Sequence, residues 1–498
     1  MHSRWLAILT GLFILVASVL GLRLWQSFQV ARETLAAVQI TQPSVLKNIP
    51  FGASRGGLIL ANPYTAQVYA AKEDTPALAA IDGRTNEIVA EIPLRGFHEG
   101  ITFNPNENEI YIGQTFSRTI RVIDGETNQV AREIPVPGGS PIGAIAFDTN
   151  TNRLYVIQND IKTVAIVDYR DGALLGTLPI DGHYGDLGIN PQTERLYITS
   201  PLENKVTVVD TANDSIVAVI PLGNNPKAIA LNPATRRVYV TVANDNAVAV
   251  IDGATNTRVT TIPVGETPID VAVNPYTNRV FVSNLASQDI SVIDGATNRV
   301  AATIPLELQA GWLAVLPNLN RVYVSSSEGH AALLLQDLPV RFDSENLILS
   351  NENVRGLAVD SETIRADWNE LQFDDAGWSN AVSGDCLRHM PRLDDTAQWI
   401  GLPDCSQRKQ TALFRQLFRL STRPVYAALY LRANQSAQVY LNGQFVGKTK
   451  LWTTENWFDL TPYLRQGDNA LAVRIDKNRE GGYTALLFHA ALLSPNAR

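Results

Sequence analysis

The chain has 498 residues, enough for two or three domains with sizeable cores. Its formal net charge of −8 argues against a general nucleic-acid footprint, and 45% hydrophobic with 18% charged residues is ordinary for a folded protein. Two cysteines are too few for a zinc cluster.

Residues 5–22 (WLAILTGLFILVASVLGL) carry no charge and lie between Arg4 and Arg23. As a helix they would span about 27 Å, close to a hydrocarbon core, which predicts a transmembrane anchor over residues 1–22. A cleaved signal peptide is the rival reading, but its apolar region is ordinarily shorter and no clean small-x-small site follows. Arg23, Arg32 and Lys47 follow the segment and only Arg4 precedes it, so charge does not settle the orientation. Residues 23–43 mix apolar and charged side chains with no proline before Pro43, which predicts a helical stalk.

From residue 62 one motif recurs seven times: NPYTAQVYAA, NPNENEIYIG, DTNTNRLYVI, NPQTERLYIT, NPATRRVYVT, NPYTNRVFVS and LPNLNRVYVS. The copies begin at 62, 104, 148, 190, 232, 274 and 316. A second landmark follows each of the first six, carrying Asp82, Asp124, Asp168, Asp210, Asp252 and Asp294 in strings such as VIDGETN and VIDGATN. Asn-Pro and Asp-Gly are turn chemistry: proline presets φ, glycine and asparagine accept positive φ, and short acids bond the local backbone. Between the turns, RVYVTVAN, AVAVID and RVTTIPV alternate on a period of two. Each unit therefore reads as four strands, and the array as a seven-bladed β-propeller over residues 44–340. The seventh unit lacks its fourth strand, and residues 44–52 (SVLKNIPFG) match it, so the N-terminal strand is expected to close the ring.

After residue 340 the pattern changes. Residues 341–365 read as a connector, and residues 366–498 as a β-sandwich with strands such as PVYAALYLRA, AQVYLNG and ALAVRI. The predicted class is all-β: a seven-bladed β-propeller, then a β-sandwich jelly-roll, behind an N-terminal transmembrane helix.

The seven copies resemble the YVTN-type β-propeller repeat family, with RVYVTVAN and RVFVSNLA the closest matches. That resemblance implies the fold over about 300 residues. It implies little about activity, since relatives include cell-surface, exported and DNA-binding propellers and, more distantly, lactone-hydrolysing ones. The strings ADWNELQFDDAGWSNA, WIGLP, VYLNGQFVG and WFDLTPYLRQGDNALAVRI resemble a galactose-binding-like jelly-roll of the kind attached to glycoside hydrolases. Phe373, Asp374, Asp375 and Trp378 carry that likeness, with the turn at Leu441, Asn442 and Gly443. Such modules bind sugars in some hosts and brace a neighbouring domain in others.

No H-E-x-x-H and no G-x-S-x-G occurs, and Gly443 to Thr449 is one residue short of a phosphate loop. The loops that enter the first strand of each unit depart from regularity in GFHEGIT, DGHYGDLG and QAGWLAV. Aligned, they bring His98, Glu99, Tyr184, Asp186, Lys227, Asp270 and Trp312 to three adjacent positions at the expected channel mouth. Such a mouth suits a polar ligand or a cation, or else is ordinary loop variation around a solvated tunnel. In the sandwich, Trp452 and Trp457 flank a TTEN loop and are the candidates for sugar stacking, while the other tryptophans are expected in the core. Cys386 and Cys405 form a disulfide if the domain is exported, or remain two buried thiols.

These readings favour non-catalytic recognition or scaffolding at the cell envelope, extracytoplasmic and membrane-anchored, with protein or glycan partners. No catalytic residue, metal or cofactor is assigned. The alternatives are a lactonase-like or other hydrolytic propeller and a DNA- or polyanion-binding propeller, the last disfavoured by charge.

Overall fold

The computed structural model describes residues 44–337 apart from 53, 64, 95, 97, 106, 116, 180, 181, 184, 192, 327 and 329. Beyond them it describes 348–349, 354–359, 367–381, 400–401, 411–421, 424, 426–433, 436–449, 456–461, 463–476 and 485–493. The expected anchor, the stalk, Tyr184, Trp452, Cys386 and Cys405 lie outside these residues. Among the described residues no helix is long and apolar enough to cross a membrane. The helical segments found there are short 3-10 turns at Asn159–Ile161, Ala243–Asp245 and Pro317–Leu319.

The described chain is all-β. Each unit folds as a four-stranded antiparallel sheet in sequence order, over residues 56–93, 98–135, 145–179, 187–221, 226–263 and 268–305, called sheets one to six. A seventh sheet takes three strands from residues 310–336, and its fourth is Ser44–Pro50, paired antiparallel with Ala331–Gln336. The strand expected to close the last unit does so. Its first strand, Ala310–Leu316, also lies against that of sheet one, Gly56–Asn62, as every other first strand lies against the next. The sheets thus succeed one another in a closed ring, an arrangement compatible with a propeller-like fold.

The core is divided in the same way. Each apolar cluster joins two neighbouring sheets: Tyr69 and Ile92 meet Ile110 and Ile123, and Tyr197 and Val208 meet Val238 and Ile251. Phe51 and Leu334 of sheet seven meet Val68 and Ile81 of sheet one. A fully buried valine or isoleucine stabilises by about 1.5–3 kcal/mol, so each junction alone contributes several such increments before entropy is counted.

The motif residues explain the junctions. Tyr69, Tyr155, Tyr197 and Tyr323 are fully buried. Each donates its hydroxyl to the second landmark of the next sheet: to Asn128 Oδ1 (2.6 Å), Asp214 Oδ1 (2.8 Å), Asn256 Oδ1 (3.3 Å) and Asn86 Oδ1 (2.8 Å). The last of these crosses from sheet seven to sheet one. Asn62, Asn232 and Asn274 add amide bonds to Asn108, Asn278 and Asn320 of the following sheets, at 2.7–2.8 Å.

Of the two residue types expected to accept positive φ, asparagine takes it, at Asn128 (58°) and Asn298 (54°), and the glycine of Asp-Gly does not. Gly125 and Gly295 are required for space, because a Cβ would stand 2.6 and 2.7 Å from the carbonyl oxygens of Asn108 and Asn278. The aspartates act as expected: Asp124 and Asp252 each accept the backbone N–H groups two and three residues on.

Two further antiparallel sheets form the C-terminal part, one of six strands and one of five. Phe414, Val439 and Val473 of the first pack against Leu429, Leu431 and Phe488 of the second, as in a β-sandwich. The sandwich starts earlier than the expected boundary at 366. Ile348–Leu349 and Arg355–Val359, placed in the connector, are strands of the two sheets, and Val354 is in their core. Short apolar stretches amid polar residues hid them.

Candidate functional site

Counting back from the Asn-Pro turn aligns the first strands of all seven sheets. Four residues before the turn stand Leu58, Gly100, Ala144, Asp186, Ala228, Asp270 and Trp312. Register shifts mark a β-bulge at this place, between Pro226 and Ile229, between Pro268 and Asp270 and between Ala310 and Leu313. The backbone N–H freed by the bulge is taken by the hydroxyl two residues after the buried tyrosine of the second strand. Thr199 Oγ1 accepts from Asp186 (2.8 Å), Thr241 Oγ1 from Ala228 (3.0 Å) and Ser325 Oγ from Trp312 (2.9 Å). This is the role of the Thr or Ser in the repeated Tyr-x-Thr string.

Asp186 and Asp270, at this position, tie sheets together. The Asp186 carboxylate accepts the N–H of Leu187 (2.8 Å) and, from the next sheet, that of Ile229 (3.0 Å). Asp270 repeats this with Val271 (2.8 Å) and Leu313 (2.6 Å). Both side chains are half-buried, touching solvent through the cavity that they help to line. Burial pushes Asp186 up to about 6 against the pull of its two N–H donors. It pushes Asp270 up to about 7, with repulsion from the Asp186 charge adding to it.

The cavity, of about 510 Å³, is walled by the first strands of all seven sheets. Apolar side chains such as Ile101, Phe103, Ile145 and Leu231 form most of it, with Glu99, Asp186, Asp270, Thr102 and Trp312 as the groups that give it chemistry. Glu99 is exposed, and partial burial raises its carboxyl above the ordinary range. Trp312 is half-buried.

Of the seven residues expected at the mouth, Glu99, Asp186, Asp270 and Trp312 line this cavity, and His98 and Lys227 do not. His98 stands in register with Gln114, and both its ring nitrogens are shielded and without a hydrogen-bond partner. Burial first, and the Arg121 charge second, hold this imidazole down at about 4. The nearby Gly113 carbonyl pulls the other way, but not at hydrogen-bond geometry. The imidazole is neutral at physiological pH. Among the described residues no three His, Cys, Asp or Glu side chains gather as a metal site, so His98, Glu99 and Asp186 do not converge on one cation. Missed in sequence were Thr102 and the stapling role of the two aspartates. The signal was an acid four before Asn-Pro, followed at once by a large apolar residue.

In the sandwich, Trp368 and Trp378 are buried and stack at 6.5 Å, with Phe373 edge-on to Trp378 at 5.7 Å. The Phe-Asp-Asp-x-x-Trp segment covers the outer face of the six-stranded sheet. There the fully buried Arg415 side chain donates to Asp375 (2.5 Å) and to the carbonyls of Glu370 and Leu371. These aromatics are buried, but in a cluster on the outer face of the sheet and not between the two sheets as expected. Asn442 (φ 54°) and Gly443 (φ 82°) make the turn between Ser436–Leu441 and Gln444–Lys448, so the phosphate-loop lookalike is a strand hairpin. Trp457 belongs to the strand Asn456–Asp459, and its side chain is outside the described set.

No family model matches the chain. A stretch of 49 residues is 45% identical to the beta-galactosidase large subunit of Latilactobacillus sakei, covering 10% of this chain and 8% of that protein.

Proposed function

We propose that this is a non-catalytic recognition protein of the cell envelope. In this reading a seven-bladed YVTN-type propeller, held by an N-terminal membrane anchor, takes a glycan in its axial cavity and carries a galactose-binding-like jelly-roll as an accessory module. The observation that carries the reading is that Trp312 shares one cavity with Glu99, Asp186 and Asp270. Sugars present apolar C–H faces that pack on an indole and hydroxyls that donate to carboxylates. The volume, about 510 Å³, is of the size that small ligands occupy. Asp186 and Asp270 already hold two backbone N–H groups each, which suits rigid acceptors better than groups that must move a proton. The short likeness to a protein named as a beta-galactosidase subunit is in keeping with a sugar ligand.

The test is a glycan array probed with the full chain and with Trp312→Ala. Binding by the wild type that falls about tenfold or more in the variant is expected, since an indole platform is worth on the order of 1–3 kcal/mol. A blank array, or equal binding by the variant, overturns the reading.

A further inference from the structure

Three carboxylates line the axial cavity, from Glu99, Asp186 and Asp270, and among the described residues no lysine, arginine or histidine does. The one basic residue expected beside them, Lys227, has its backbone carbonyl engaged by Thr199 Oγ1 (2.7 Å) and is absent from the wall. Trp312 adds the face of an indole to the same space. A cavity that combines acids with an aromatic face, with no base on its described wall, is complementary to a positive charge on an organic frame. Carboxylates supply Coulomb attraction in a partly desolvated place, and the ring quadrupole attracts a cation lying over it.

Behind the cavity wall, the strand paired with that of Asp270 also departs from the repeat. Ser283 is the register partner of Asp270, is fully buried, and its Oγ has no hydrogen-bond partner. The hydroxyls at its equivalent position, Thr199, Thr241 and Ser325, all take the backbone N–H of the bulge. The surroundings of Asp270 thus depart from the repeat in both strands.

We propose that the ligand of the axial cavity is an organic cation, a protonated amine on a sugar-sized frame, with Glu99, Asp186 and Asp270 as its counter-charges and Trp312 as its platform. This rests on the recognition reading given above and narrows it from glycans in general to amino sugars bearing a free amine. A metal ion is disfavoured by geometry, because the acids do not gather as a ligand set among the described residues.

Isothermal titration of the full chain with D-glucosamine and with N-acetyl-D-glucosamine separates the two levels, since acetylation removes the charge and retains the pyranose. Glucosamine is expected to bind about tenfold or more tightly than its acetylated counterpart, and Asp270→Asn to erase that preference. Should Asp270→Asn disturb folding, Glu99→Gln, at an exposed position, is expected to reduce the preference with the fold intact by circular dichroism. Equal or tighter binding of N-acetylglucosamine overturns the cation proposal and leaves the glycan reading standing. Failure of both sugars to bind, with a blank glycan array, overturns both. A glucosamine preference that survives Asp270→Asn and Glu99→Gln together also overturns the proposal.

Discussion

Replacing Asp270 with asparagine should change the pH dependence of stability in a direction set by its burial. Asp270 ionises near 3.8 when unfolded, and in the folded ring at about 7. Between those values the native carboxyl holds a proton that the unfolded chain has released, so stability from this group falls as pH rises through the window and is lowest above 7. From pH 5 to pH 8 the group crosses about two units of this window, worth on the order of 2 kcal/mol once solvent reaching the carboxyl through the cavity is allowed for. Asparagine has no such titration, and its single carbonyl can serve only one of the two N–H donors, Val271 and Leu313, at a cost of about 1–2 kcal/mol. Asp270→Asn is therefore expected to be clearly less stable than wild type at pH 5 and nearly equal to it at pH 8. His98, held near 4, works in the opposite sense but is present in both proteins and cancels. Urea unfolding followed by tryptophan fluorescence at both pH values measures the difference. A deficit that is the same at pH 5 and pH 8, or larger at pH 8, refutes the reasoning.

Tyr155→Phe removes a buried hydroxyl bond to Asp214 across two sheets and should cost about 1–2 kcal/mol by urea unfolding, because Asp214 keeps its bond to Arg153 at 2.8 Å. Unchanged stability would show that these inter-sheet tyrosines act through packing alone. Arg415→Met leaves Asp375 with only the half-buried Arg355 at 3.7 Å and should cost about 2–3 kcal/mol, with loss of the near-ultraviolet circular dichroism of the Trp368–Trp378 pair. An intact signal after that substitution contradicts the buried ion pair. Internal deletion of residues 44–50 exposes the edge of Ala331–Gln336 and should raise the average mass by light scattering above that of the intact chain. A monomer of unchanged stability would show that the ring does not depend on that strand.

Much of the ring was legible because its determinants are local and repeated. The spacing of the Asn-Pro turns announced one sheet per unit, and the missing fourth strand of the last unit pointed to residues 44–52. The roles of the repeated Tyr, Thr and Gly residues were not legible, since they act between strands or between sheets. Tyr197 is explained only by Asn256 of the following sheet, and Gly125 only by the carbonyl of Asn108 in a neighbouring turn. The site was half legible. Alignment brought seven residues to three adjacent positions, but a strand sends successive side chains to opposite faces and a bulge shifts the phase. Asp186, Asp270 and Trp312, all four residues before the turn, therefore face the cavity, whereas His98, two residues earlier, pairs with Gln114. In the sandwich, Val354 and Leu357 are too isolated among polar neighbours to announce strands, so the expected connector concealed part of the fold.

The central claim is that recognition takes place at the axis of the ring. It is tested most directly by photo-crosslinking the full chain with a diazirine-bearing form of its tightest array glycan and mapping the adducts by mass spectrometry. Adducts within residues 99–105, 186–191, 270–271 and 312–313, suppressed by the unlabelled glycan, are the predicted result. Adducts confined to the C-terminal sandwich or to the outer strands of the ring would contradict it.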